Sequence, residues 1–88
     1  MTKYVIKKTT TATETNINFK GETRIYYTGK RGIFIDRIEI LTYWAREYGF
    51  STKAAAAKAL KHYSENVNWF NNTFKTWTSI FEIIEVEV

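Results

Sequence analysis

Three groups of side chains in this sequence have the type and spacing to do chemistry. The first is a set of rings, Trp69, Phe70, Phe74 and Trp77, placed among asparagines in NVNWFNNTFKTWTS, residues 66–79. Rings surrounded by amides can stack on nucleobases or anchor a protein partner, although rings can equally fill a core. The second is a set of cations, Lys7, Lys8, Arg24, Lys30 and Arg31, with Lys53 further along, of the kind that contacts phosphate. The third is acidic: Glu82, Glu85 and Glu87 near the C-terminal end, which alternation along an exposed strand face explains without an acid–base pair. Catalytic alternatives fare poorly. The chain has no cysteine and one histidine, His62, on a lysine-flanked stretch, so neither a nucleophile–base pair nor a Cys/His zinc site can be assembled, and the carboxylates lack calcium-loop spacing. The chain is expected to be non-enzymatic, without cofactor or metal.

Charge adds direction. Residues 1–37 hold eight Lys or Arg against three Asp or Glu, a balance of +5, while residues 38–88 hold five against six, a balance of −1. The N-terminal half therefore carries the positive field, which favours polyanions and speeds encounter with them, although a moderate net charge also serves solubility alone. With 88 residues the chain is expected to form one domain around one core. The lack of cysteine suits a reducing compartment. No run approaches the roughly 20 apolar residues that span a bilayer, and no signal peptide is visible. These observations read as a soluble, cytoplasmic protein without a membrane partner.

The elements that must position these residues are short. Tyr4, Val5 and Ile6 between lysines read as a strand, the lysines suiting a sheet edge. TTTATETN, residues 9–16, is polar enough to read as a loop or an irregular strand extension. Ile17 and Phe19 alternate with polar residues as a strand would, and RIYYT, residues 24–28, is the next strand. GKRG, residues 29–32, turns the chain toward Ile33, Phe34 and Ile35. Residues 36–50 carry conflicting signals: Ile38, Leu41, Ala45 and Tyr48 recur at helical spacing, whereas Ile38, Ile40, Thr42 and Trp44 alternate. The reading adopted is a short helix or turn over 36–43 and a strand over 44–50.

The main helix is expected over about 52–65, capped by Ser51 or Thr52, with Ala56, Ala59, Leu60 and Tyr63 facing a sheet and Lys53, Lys58, Lys61 and Glu65 facing water. The aromatic segment then forms a loop, and residues 80–88 alternate as a final strand. The fold class is α+β: an antiparallel sheet of about four to five strands, one main helix on one face, and a C-terminal strand. Strand addition at an exposed edge would offer a route to a homodimer.

KYVIKK at the start, the YYTG hairpin, Ala45 leading to Tyr48 and Phe50, the ST-K-x-x-A junction and the terminal IIEVEV strand together resemble small, mostly uncharacterised proteins of bacteriophages and prophages of Gram-positive bacteria. That resemblance covers nearly the whole chain and implies a non-enzymatic accessory acting on a host or phage macromolecule, with host-defence nucleases among the targets of such proteins. A narrower stretch, GFSTKAAAAKAL, residues 49–60, is similar to the strand-to-helix junction of arm-type DNA-binding domains of phage integrases. Gly49, Phe50, Thr52, Lys53, Ala56, Ala59 and Leu60 match it, and Thr28, Gly29, Lys30 and Arg31 look like its hairpin. The spacing from Gly32 to Gly49 is longer than in that domain, and the terminal strand is additional.

Two functions follow as expectations. One is a protein-binding module that modulates or inhibits a host or phage protein through Trp69, Phe70, Phe74 and Trp77. The other is nucleic-acid binding through Lys7, Lys8, Arg24, Lys30, Arg31 and Lys53. The modest net charge of +4 leans toward the first.

Overall fold

Residues that favour strands dominate both ends of the chain, and the folded protein sets those ends side by side. The computed structural model describes the backbone of every residue except Lys75, and the side chains of all residues outside 66–75. In chain order the elements are β1 (Thr2–Ala12), β2 (Thr23–Thr28), β3 (Phe34–Ile35), a 3-10 turn (Ile38–Ile40), α1 (Leu41–Tyr48), α2 (Lys53–Phe74) and β4 (Trp77–Glu87). Among the described residues the sheet has four strands in the order β3-β2-β1-β4, every neighbouring pair antiparallel. The architecture is α+β. No helix among the described residues is long and apolar enough to cross a membrane.

Successive residues of a strand point to opposite faces, so the full burial of both Val5 and Ile6, each 0% exposed, requires cover on both sides of β1. The cover comes from two helices. On one face Val5, Tyr27, Ile35, Ile84 and Val86 pack with Leu41, Trp44, Ala45 and Tyr48 of α1. On the other, Tyr4, Ile6, Phe81 and Ile83 pack with Phe50 and with Ala56, Ala59, Leu60 and Tyr63 of α2. The main helix expected over about 52–65 thus gains a helical partner, α1, on the opposite face.

Between the helices the chain passes through the plane of the sheet. β4 pairs with β1 along its whole length, from Thr2↔Glu87 to Ala12↔Trp77, while β2 covers the other side of β1 only from Ile6↔Thr28 to Thr11↔Thr23. Phe50 bridges to Tyr4 in the slot that β2 leaves open, with N···O distances of 2.7 and 2.9 Å. Thr52 then accepts a hydrogen bond from the Ala55 amide at 3.2 Å, the expected hydroxyl cap, which contributes about 1 kcal/mol to helix stability.

Several local expectations are corrected. The lysines of KYVIKK belong to a strand with a neighbour on each side, not to an edge. β1 runs on through Thr9, Thr10 and Thr11, because threonine is β-branched and its hydroxyl can pair across strands: Thr10 with Ser79 at 3.1 Å and Thr11 with Thr23 at 3.4 Å. Ile17 and Phe19 lie in a turn. The Asn16 side chain accepts from the Phe19 amide at 3.2 Å and donates to the Thr76 carbonyl at 3.1 Å, and an Asx turn of this kind outweighs two alternating apolar residues.

Residues 41–48 are helical rather than turning to strand at 44. Leu41, Trp44, Ala45 and Tyr48 at i, i+3, i+4 and i+7 reach the core, whereas Ile38, Ile40 and Thr42 of the alternating set are exposed. Finally, α2 continues past residue 65 to Phe74, so the backbone that carries Trp69, Phe70 and Phe74 is helix, not loop.

Candidate functional site

The face of the sheet covered in part by α2 also holds the cations that the sequence scattered. Counting alternate residues along each strand, it presents Lys8, Thr10 and Ala12 from β1, Arg24, Tyr26 and Thr28 from β2, Phe34 from β3, and Trp77, Ser79 and Phe81 from β4. Pairing sets the rungs. Lys8 lies between Tyr26 and Phe81, and Thr10 between Arg24 and Ser79, so Lys8 and Arg24 stand on adjacent rungs of one face, about 7 Å apart along the strands and about 5 Å across them.

Each cation is seated against two rings. The Lys8 ammonium is 5.3 Å from the centre of the Phe34 ring and 5.9 Å from that of Tyr26. The Arg24 guanidinium is 5.0 Å from Phe19 and 5.3 Å from Trp77. The rings brace one another: Phe34 meets Tyr26 edge-on at 6.5 Å and Tyr63 of α2 at 6.0 Å, and Phe19 lies 5.9 Å from Trp77 at a 33° tilt. The strip therefore reads, along the strands, as a ring cluster, a cation, a second cation and a second ring pair.

The two cations differ in electrostatics. Arg24 pairs with Glu22 at 3.1 Å, and the hydrogen bond to Glu22, then that to Tyr26, raises its already high pKa. No described carboxylate lies within ion-pair distance of Lys8, and burial lowers its pKa from 10.5. A lysine whose folded pKa is depressed binds its proton less tightly when folded. Stability then rises with pH between that lowered value and 10.5, the unfolded value, and is flat in this respect below the window. Lys8→Met should stay within about 1 kcal/mol of wild type at neutral pH, because a thioether replaces one ring contact with another. Urea denaturation of the two proteins across that window should show the wild type gaining stability relative to the variant as pH rises; parallel curves would contradict it.

The other expected cations are dispersed. Lys7 points to the α1 face and pairs with Glu82 at 3.4 Å. Lys30 and Arg31 occupy the β2–β3 turn beside the end of α1, where the Lys30 amide donates to the Tyr48 carbonyl at 2.7 Å and Arg31 lies 5.6 Å from the Tyr48 ring. Lys53 opens α2, exposed. Of the expected rings, Trp77 joins Arg24, while the side chains of Trp69, Phe70 and Phe74 lie outside the described residues.

Phe19, Tyr26, Phe34 and Tyr63 were not singled out by the sequence. The period of two in RIYYT places Arg24 and Tyr26 on one face, but nothing local aligns them with Lys8. His62 is exposed on α2, its ring 5.8 Å from that of Tyr63. Glu82 and the pair Glu85 and Glu87 occupy opposite faces of β4. Among the described residues no three His, Asp or Glu side chains form a group that could hold a metal ion.

No protein-family model, no curated protein and no solved structure matches this chain.

Proposed function

We propose that the protein is a non-enzymatic accessory of the phage or prophage type that works by contact in the host cytoplasm, and that its working surface is the Lys8–Arg24 strip, which binds nucleic acid. The observation that carries this reading is Lys8: an ammonium half-buried among rings, with no described carboxylate to compensate it. A phosphate would supply the missing charge, and Arg24 one rung away offers a second donor.

Fluorescence anisotropy with labelled oligonucleotides across a salt series tests it. Each neutralised phosphate contributes about −0.7 to the log–log salt slope for a single strand and about −0.9 for a duplex. The double variant Lys8→Met, Arg24→Met should therefore make the slope shallower by about 1.4 or 1.8 respectively. Removing Lys30 and Arg31 from the distant turn should change it less. Absence of binding at low salt, or an unchanged slope in the double variant, would remove the proposal.

A protein partner that the molecule modulates or inhibits is a second reading, favoured by the opposite face. There Ile25 and Ile80 flank Thr9 on one rung, 40% and 72% exposed, and Ile25 and Ile38 line an open groove of about 240 Å³ with Tyr27, Asp36 and Glu39. Capture of a partner by wild type but not by Ile80→Asp would support it; identical capture by both would count against it.

A further inference from the structure

We infer that the nucleic acid bound at the Lys8–Arg24 strip is single-stranded, its bases stacking on the ring pair Phe19–Trp77 and on Phe34. This inference rests on the nucleic-acid reading above and narrows it. Three features carry it.

The first is alternation of charge and ring. From the Thr28–Phe34 rung, beside Ile6, to the Ala12–Trp77 rung the strip covers seven residues of β1, about 20 Å from first to last. It offers rings at both ends and cations between. Unpaired bases expose their faces to such rings, whereas a duplex keeps its faces stacked inside the helix. Room for about four nucleotides matches the lower end of the site sizes known for small single-strand-binding folds.

The second is relief. α2 packs on β1 and β4 through Ala56, Leu60 and Tyr63 and so rises one helix diameter, about 10 Å, above the end of the strip that holds Phe34 and Phe81. Tyr63 closes one end of the floor by meeting Phe34 and by standing against Gly32, where an added Cβ would lie 3.0 Å from its hydroxyl. A flexible strand can bend to the rings and cations that stand above Thr28, Thr10 and Ala12, which are themselves buried; a rigid duplex is held off the sheet by the helix.

The third is accessibility. Phe19 is 43% exposed and Phe34 40% exposed, and Trp77 is half-buried. The rings that would receive bases are therefore reachable without unfolding any element. Arg24, already lying over Phe19 and Trp77, can turn its donors to a phosphate while its plane stays against the rings.

The test uses the whole chain with three probes: a ten-residue oligothymidylate, a duplex of the same length, and inorganic polyphosphate. Oligothymidylate should bind at least tenfold more tightly than the duplex and quench tryptophan emission, and polyphosphate should leave the emission unchanged. Trp77→Phe should keep the affinity and lose most of the quenching. Phe19→Ala and Trp77→Ala should each weaken oligothymidylate about five- to 150-fold, as expected for one lost stack, and leave polyphosphate affinity unchanged. Phe19 lies in an exposed turn, so its variant separates lost stacking from lost folding. If the duplex and polyphosphate bind as tightly as the oligothymidylate and Phe19→Ala and Trp77→Ala have no effect, the single-strand inference fails while the phosphate-contact reading stands. If none of the three probes binds, both fail together.

Discussion

Gly29→Ala is expected to lower the stability of the fold by about 3 kcal/mol, the upper part of the range for overpacking a filled site. In a domain of this size that corresponds to a fall in melting temperature of roughly 12–24 °C. Gly29 sits where β2 ends and the chain meets the last turn of α1. A Cβ there would overlap the Tyr48 carbonyl oxygen and lie 3.2 Å from Cη2 of the Trp44 ring. Neither obstacle can swing aside. The carbonyl is backbone and already accepts the Lys30 amide at 2.7 Å, and the Trp44 ring is locked in the core at 7% exposure. Relief requires α1 to lift from the sheet, which surrenders burial over the whole first face. Thermal melts of wild type and variant followed by circular dichroism would check this, and an unshifted midpoint would show that α1 is not seated as described.

Trp44→Ala should cost about 3–5 kcal/mol, the span for deleting a large buried aromatic. Trp44 packs with Val5, Tyr27, Leu41, Ala45 and Val86 and lies 5.4 Å from the Tyr48 ring at a 35° tilt. It thus joins α1 to three of the four strands. Urea denaturation measures the loss. Because Trp44 and the Lys8–Arg24 strip lie on opposite faces of the sheet, the fraction that stays folded should bind oligonucleotide with wild-type affinity, leaving the saturating anisotropy unchanged and shifting the midpoint in total protein only by the reciprocal of the folded fraction. A large loss of affinity in the folded fraction would mean that the two faces are not independent. Together with Gly29→Ala this variant addresses only the scaffold, so a shared effect on binding would weigh against the assignment of the site to the α2 face.

What the sequence makes legible is whatever local chemistry decides. RIYYT, GKRG and IFI form β2, its turn and β3 much as their residue types require, and the hydroxyl of Thr52 starts α2 as expected. The errors fall where long-range packing outvotes local preference. Three threonines in a row read as loop until the neighbouring strands give their hydroxyls partners. Residues 41–48 carry Thr42 and three aromatic side chains that suit a strand, yet helical spacing lets Leu41, Trp44, Ala45 and Tyr48 reach one core. Asparagine is a weak helix former, but the backbone of 66–74 stays helical. The candidate site shows the same division. Lys8, Arg24 and Trp77 could each be named from residue type alone, but their meeting depends on β1–β2 and β1–β4 register, and Ala12 and Trp77 are 65 residues apart.

That last pairing also sets an order of assembly. Of the four strands of this sheet β1 is made before the others and β4 after them, and β1 is bonded to β4 from Thr2 to Ala12. During synthesis, therefore, one flank of the earliest strand has no native partner until residues 77–87 leave the ribosome. Sheets closed by such distant contacts form slowly and risk association while they wait, so until β4 arrives that flank of β1 is open to pairing with other chains.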